Sequence, residues 1–455
     1  MNHFLFKTLL SFALLHPFMV EATSLKPAEL RLGLTNEAFN STLSALSSDT
    51  SDTTQLWYWL DLARLQQANG DYKGSIKSFE NGFAILDEYE NRAKASIRNI
   101  GSFLGSTLFS KGAESYYGKG YERTLMHTIN ALNYTMLGDF EGAAVEMRRM
   151  DQRQEFWLQE NSERLKEATK DIQKAQQQGN NTTAIPNGYS MGTLLENPEV
   201  RSLANSYQDP FSYTLSKIIF DLSSQSETGE ISLKRALALN PDVAKVFVTP
   251  TISHNNKNLK KEPLSSKKIE VTLIVLSGLA PSLTLEKIHF PLFNGANYSS
   301  IDLSSYTPPL NDISFLTIST PTLRIQPPRL LKADIMAYKT LKDELPGELS
   351  KAVVRATSKA IAAQQASNQF GPLGGFVASL AMDIGSSVSD TKFRNWNTLP
   401  NSGYLSKFTA NSEDIINITL NQAQESLMLP SDKIGIIILV SYLAPNNIRI
   451  SHVDY

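Results

Sequence analysis

The chain has 455 residues, a formal net charge of −2 and no cysteine. The missing thiols exclude disulfides, thiolate nucleophiles, cysteine-based zinc sites, iron–sulfur clusters and a lipidated cysteine anchor. The near-neutral balance argues against a nucleic-acid binder, which would carry a basic surface, and the length suggests two or three domains with a sizeable core.

Residues 1–22 read as a secretory signal. Lys7 supplies a basic start, and Val20-Glu21-Ala22 matches the small-x-small cleavage rule. Between them, Thr8 to Val20 is mostly apolar but shorter than the roughly 20 residues that span a bilayer. His16 and Pro17 break that run, which disfavours the competing reading of an uncleaved anchor. An exported chain without disulfides points to a bacterial periplasm, with secretion or a peripheral outer-membrane position as alternatives. In that setting the Asn-x-Ser/Thr triplets at Asn40, Asn133, Asn180, Asn181, Asn297 and Asn417 are chance; in a eukaryote they would accept glycans.

Residues 23–54 read as a loose leader with a short helix near Pro27 to Leu34. Residues 55–248 read as an irregular tetratricopeptide-like helical domain. Trp59, Leu62 and Ala63 precede Asn69-Gly70-Asp71-Tyr72, and the pattern returns at Leu137-Gly138-Asp139-Phe140. The two glycines lie 68 positions apart, twice the tetratricopeptide period of about 34. This spacing places Gly70 and Gly138 in turns, with Trp59 and Phe79 packed between paired helices. The stretch from Glu90 to Lys119 reads as a degenerate unit, and Asp151 to Gln178 as a separate long polar helix. Asp209-Pro210-Phe211 starts a further helical pair that Asn240-Pro241 closes. Residues 249–268, with Lys260-Lys261 and Lys267-Lys268, read as a solvated linker.

Residues 269–455 read as a β-rich domain, mixed or antiparallel, with a helical insertion over 330–390. Strands are expected at Ile269 to Val275, Ile288 to Leu292, Phe315 to Ser319, Thr322 to Gln326, Tyr404 to Thr409, Ile415 to Leu420 and Lys433 to Tyr442. Asn446-Asn447 turns the chain into a last strand, Ile448 to Val453. The small-residue apolar stretch 370–387 reads as a core helix, against a membrane-inserting alternative that Pro372 and Asp383 oppose. The fold class is therefore α+β.

Chemistry is sparse. His127, His254, His289 and His452 are unclustered, and no His-Glu-x-x-His, Gly-x-Ser-x-Gly or dinucleotide fingerprint occurs. Gly112 to Gly120 has the wrong spacing for a phosphate loop. No catalytic, cofactor-binding or metal-binding residue is assigned. The candidate partner-binding cluster is Tyr116, Tyr117, Tyr121, Glu122 and Arg123, aromatics and charges around a glycine turn; the competing reading has these tyrosines capping the helical core. Glu146, Arg148, Arg149, Asp151 and Arg153 read as surface pairs on one helix.

Several of these residues follow an ordered pattern. It comprises Tyr121-Glu122-Arg123, Asn133-Tyr134, Gly138-Asp139, Ala143 and Val145-Glu146-x-Arg148-Arg149. It continues through Asp209-Pro210-Phe211-x-Tyr213, Gly278-x-x-Pro281, Glu286, Pro291, Arg355, Lys359 and Asp390-x-x-x-Arg394-x-Trp396-x-x-Leu399-Pro400. The series resembles an uncharacterised bacterial envelope family, periplasmic or lipoprotein-like, with a tetratricopeptide-like first half and a β-rich second half. The resemblance implies an exported protein of Gram-negative bacteria with a link to cell-wall assembly. The chain departs from it by lacking the lipidated cysteine.

The leading expectation is a non-enzymatic periplasmic scaffold that binds protein partners, with no cofactor and no nucleic acid. The alternatives are an envelope enzyme acting on cell-wall or lipid material through a non-local acidic site, and a membrane-active secreted factor. In the latter, residues 370–387 would make a peripheral membrane contact. Asp390, Arg394 and Trp396 are expected to form a structural junction at a helix end. N-terminal sequencing of the exported protein should begin at Thr23; a mature form that still begins at Met1 would overturn the signal assignment.

Overall fold

The computed structural model describes residues 25–35, 38–97, 116–177, 186, 188–248, 267–292, 297–349 and 394–455. The signal segment, the stretch 98–115, most of the expected linker, residues 370–387 and Asp390 lie outside these.

The helical half is built from hairpins. α1 (Pro27–Thr35) and α2 (Phe39–Ser48) are followed by α3 (Leu56–Ala68) and α4 (Tyr72–Ile97), then α5 (Gly120–Met136) and α6 (Phe140–Gln177). The short α7 (Gly192–Leu195) and α8 (Pro198–Ser202) lead to α9 (Pro210–Leu222) and α10 (Ser226–Leu239). The segment read as a loose leader thus holds the expected short helix, α1, and a second one, α2. Leu30, Leu34, Phe39 and Leu46 bury against Trp57, Tyr58, Leu62 and Leu443, because an amphipathic short helix needs an apolar neighbour to persist.

The α3–α4 and α5–α6 turns are copies of each other. Gly70 and Gly138 have φ of 81° and 75°, the left-handed conformation that glycine adopts without a Cβ penalty. Asp71 and Asp139 donate their backbone N–H to Gln66 and Tyr134, a Schellman closure of the preceding helix. Their carboxylates then accept from Gly74 N at 2.9 Å and Gly142 N at 2.8 Å, capping the next helix. The α9–α10 turn closes the same way, through Gln225 N to Phe220 O at 2.7 Å, but Ser224 holds the left-handed position with φ of 59°.

Two readings of the helices change. Asp151 to Gln177 is not a separate helix but the continuation of α6, since nothing between Phe140 and Gln177 interrupts it. The fully packed tryptophan of α3 is Trp57; Trp59 is half-buried on Gly82 of α4, with its Nε1 donating to Thr53 O at 2.8 Å.

A short 3₁₀ turn, Pro241–Lys245, hands the chain to the sheets. The strands are β1 (Phe247–Val248), β2 (Lys268–Ser277), β3 (Leu283–Leu292), β4 (Asn297–Tyr306), β5 (Leu316–Ser319), β6 (Arg324–Ile325) and β7 (Arg329–Lys332). After a helix over 333–349, named α11, come β8 (Ser402–Asn411), β9 (Ile415–Leu420), β10 (Ala423–Met428), β11 (Gly435–Ala444) and β12 (Asn447–Asp454). The expected helix from Leu330 therefore starts after a strand, β7, that pairs with β8.

The main sheet runs β1-β8-β2-β11-β12, with β7 also on β8; β2 and β11 are parallel, while β8 and β12 run against them. One face, with Ile274, Leu276, Leu405, Ile437 and Leu439, joins the core of α3 to α6, α9 and α11. The other, with Val271, Leu273, Val275, Phe408, Ile436, Ile438 and Val440, packs on a second sheet, β10-β9-β5-β6, through Leu316, Ile318, Ile416 and Ile418. The layers are helices, sheet and sheet, and β3 and β4 form a separate hairpin.

Ser224 holds a conformation that costs a non-glycine residue about 1 kcal/mol or more. Ser224→Gly should therefore raise stability by about 1 kcal/mol, and Gly138→Ser should lower it by a similar amount, read from urea midpoints.

A candidate functional site at the buried polar junction

The buried side of α3 is mostly apolar, and its buried charges are Asp61 and Arg64. Both are enclosed. Asp61 Oδ1 accepts from Thr398 N and Thr398 Oγ1, each at 2.9 Å, and its Oδ2 accepts from Asn397 Nδ2 at 3.2 Å. From α5, Glu122 Oε1 accepts from Trp396 N at 2.9 Å, while its Oε2 accepts from Lys119 N at 2.6 Å and so caps its own helix. Two carboxylates from two helices thus grip the backbone amides of Trp396 and Thr398, two residues apart on one segment.

Other elements hold the same segment. Arg31 of α1 donates to Ala280 O at 2.7 Å and Asn397 O at 3.1 Å. Asn395 donates to Pro281 O at 2.9 Å and accepts from Leu283 N at 3.1 Å. Trp396 is fully buried, edge-on to Phe79 at 5.9 Å, and its Nε1 donates to Thr398 Oγ1 at 3.1 Å. The Arg394 guanidinium stacks 4.0 Å above the Trp57 ring, a cation–π contact between the two halves. Arg394 and Trp396 thus sit at the junction of helices and sheet, but residues 394–400 carry no helix.

Burial dominates the electrostatics. It pushes the Asp61 carboxyl up to about 6, against the Asn397 and Thr398 hydrogen bonds and the charge of Arg394, which favour the anion. Glu122 is raised for the same reason, again opposed by its hydrogen bonds. Arg31 is lowered to about 10 by burial, countered in part by Asp61. The Tyr116, Tyr121 and Tyr306 hydroxyls lie well above their ordinary range, because burial and the nearby Glu122 both oppose a phenolate.

The structure splits the candidate partner-binding cluster. Tyr121, Glu122 and Arg123 are buried, spent on internal contacts. Arg123 donates to Tyr117 O at 2.6 Å, pairs with Glu90 and lies over Trp157. Tyr116 and Tyr117 are half-buried, and Tyr117 stacks on Tyr89 with centroids 3.6 Å apart. The charges of α6 are not surface pairs along one helix. Arg153 pairs with Glu90 of α4 at 2.7 Å, Asp151 pairs with Arg235 of α10, and Arg148 lies over Phe220 of α9. Glu146 keeps its pair with Arg149 at 2.7 Å, but it is buried and also meets His127 Nδ1 at 2.7 Å. The His127 ring stacks on Phe83, and burial lowers its affinity for a proton.

Sequence reasoning passed over Asp61, Arg31 and Asn397. The available signal was two opposite charges, Asp61 and Arg64, among the apolar residues of Leu56 to Leu65, and a run of amides around Trp396. The chain matches no known protein-family model, and no curated protein matches its sequence.

A carboxyl that keeps its proton up to about pH 6 when folded, but ionises near 3.8 when unfolded, stabilises the fold most below 3.8. That contribution is lost as pH rises from about 4 to about 6. Asp61→Asn should flatten the pH dependence of urea stability across this window, while the fall due to Asp209, also raised to about 6, remains. An unchanged slope in the variant would show that Asp61 does not titrate there.

Proposed function

We propose that the protein is a non-enzymatic adaptor of the bacterial cell envelope, exported to the periplasm, that binds protein partners. The carrying observation is α6. Among the described residues, Trp157 is its last buried side chain, and the helix continues to Gln177, about 30 Å further at 1.5 Å per residue. Phe156 and Leu158 are 41% and 49% exposed at the point where it leaves the core.

The junction supports this reading over an acidic enzyme site. Asp61 and Glu122 are saturated by donors of their own chain and enclosed, so they join elements rather than meet a substrate. Among the described residues no helix is long and apolar enough to cross a membrane.

Affinity purification from an envelope fraction tests the proposal. A protein retained by the wild type should be lost from a Phe156→Asp, Leu158→Asp variant whose melting temperature is unchanged. Equal recovery by both would remove α6 as the binding surface.

A further inference from the structure

The α3–α4 turn and the β11–β12 hairpin enclose an open cleft of about 350 Å³, lined in part by Asn69, Asn446, Asn447, Arg449 and Ser451. No carboxylate lines it. Arg449 is its one cationic wall residue, lying 4.2 Å over the Phe39 ring. Its Nε donates to Asn447 Oδ1 at 3.3 Å, Nη1 to Asn69 Oδ1 at 3.0 Å and Nη2 to Asn40 Oδ1 at 3.3 Å.

All three of these acceptors are neutral amides. They orient the guanidinium without cancelling its charge. Of its five N–H donors three are spent. One N–H thus remains on each terminal nitrogen for the two oxygens of a carboxylate or a phosphate. Each asparagine also spends its oxygen on the cation and keeps its NH₂ group.

We propose that this cleft binds a small oxyanion, the carboxylate or phosphate group of a ligand, on the guanidinium of Arg449, whose charge no carboxylate in the cleft cancels. The cleft volume falls in the range of small-molecule sites, which begins at roughly 300 Å³.

Ligand-observed saturation transfer and calorimetry on the full-length protein test this with three probes: N-acetylalanine, inorganic phosphate and the uncharged N-acetylalaninamide. A saturable response to either anion, absent with the amide, is the expected result, and the anion that responds names the source of the oxyanion. Asn69→Asp places a carboxylate beside Nη1. It should abolish binding while the melting temperature stays at or above that of the wild type. Arg449→Lys keeps the charge but loses the guanidinium donors, and should weaken binding about tenfold. No saturable response to either anion in the wild type, an equal response to the amide, or undiminished binding by Asn69→Asp would each overturn the proposal.

Discussion

Taking Asp61 and Glu122 out of water costs several kcal/mol for each ionised group unless their oxygens are met by well-placed donors. The donors they find are the backbone amides of Thr398 and Trp396, two residues apart on one segment. Backbone amides cannot be rearranged as side chains can. A slip of that segment by one residue would leave both carboxylates without their amides. The charges therefore fix the register of helices against sheet, at a distance in sequence of more than 250 residues for Glu122 and Trp396. Arg31 and Arg394 add the compensating positive charge from α1 and from the segment itself.

The main sheet makes this register matter, because it is a wall with no free face over β2 and β11. Every described residue of β11 is buried. A strand covered on both sides needs apolar residues at odd and even positions alike, which is why both strands are nearly continuous runs of Ile, Val and Leu. α5 is the helical equivalent, with neighbours on nearly all sides and buried polar residues as well as apolar ones. There Thr128 meets Ser212 of α9 at 2.8 Å, and Asn133 meets Ser75 of α4 at 2.8 Å, so the polar groups are consumed between helices.

That arrangement explains which parts of the molecule were legible. Asp209 announces its helix from sequence and does cap it, accepting from Ser212 N at 2.7 Å, because capping is a local event. The central strands were legible because burial on both faces leaves a strong apolar run. β4 and β10 were not: Ser299, Ser300, Ser304 and Ser305 on one, and Gln424, Glu425 and Ser426 on the other, look like loop sequence. The third hairpin turn was hidden because Ser224 stands where the first two carry glycine. Of the junction, Arg394 and Trp396 were expected from sequence, but its helical side was hidden for a different reason. A charge on a helix that is buried all round has no solvent face to mark it, so Glu122 and Arg123 read as surface residues. Their partners, Trp396 for one and Glu90 for the other, are set by tertiary contacts that no spacing encodes.

The two glycine turns come to rest on one strand. A methyl group on Gly70 would lie 4.0 Å from Ser451, and one on Gly138 would lie 4.0 Å from Val453, two residues further along the same face of β12; Phe140 then meets Tyr455. The third hairpin leaves that strand and lies over β7 and β8 instead. Open helical arrays set their curvature by the rotation from each unit to the next, and they lengthen by duplicating a unit. Here the order of the hairpins is matched to positions on a sheet, which acts as a template. A duplicated hairpin would carry every later turn off its strand. Growth by duplication is thus closed to this architecture, and its descendants can diverge in the segments between elements far more readily than in the number of elements.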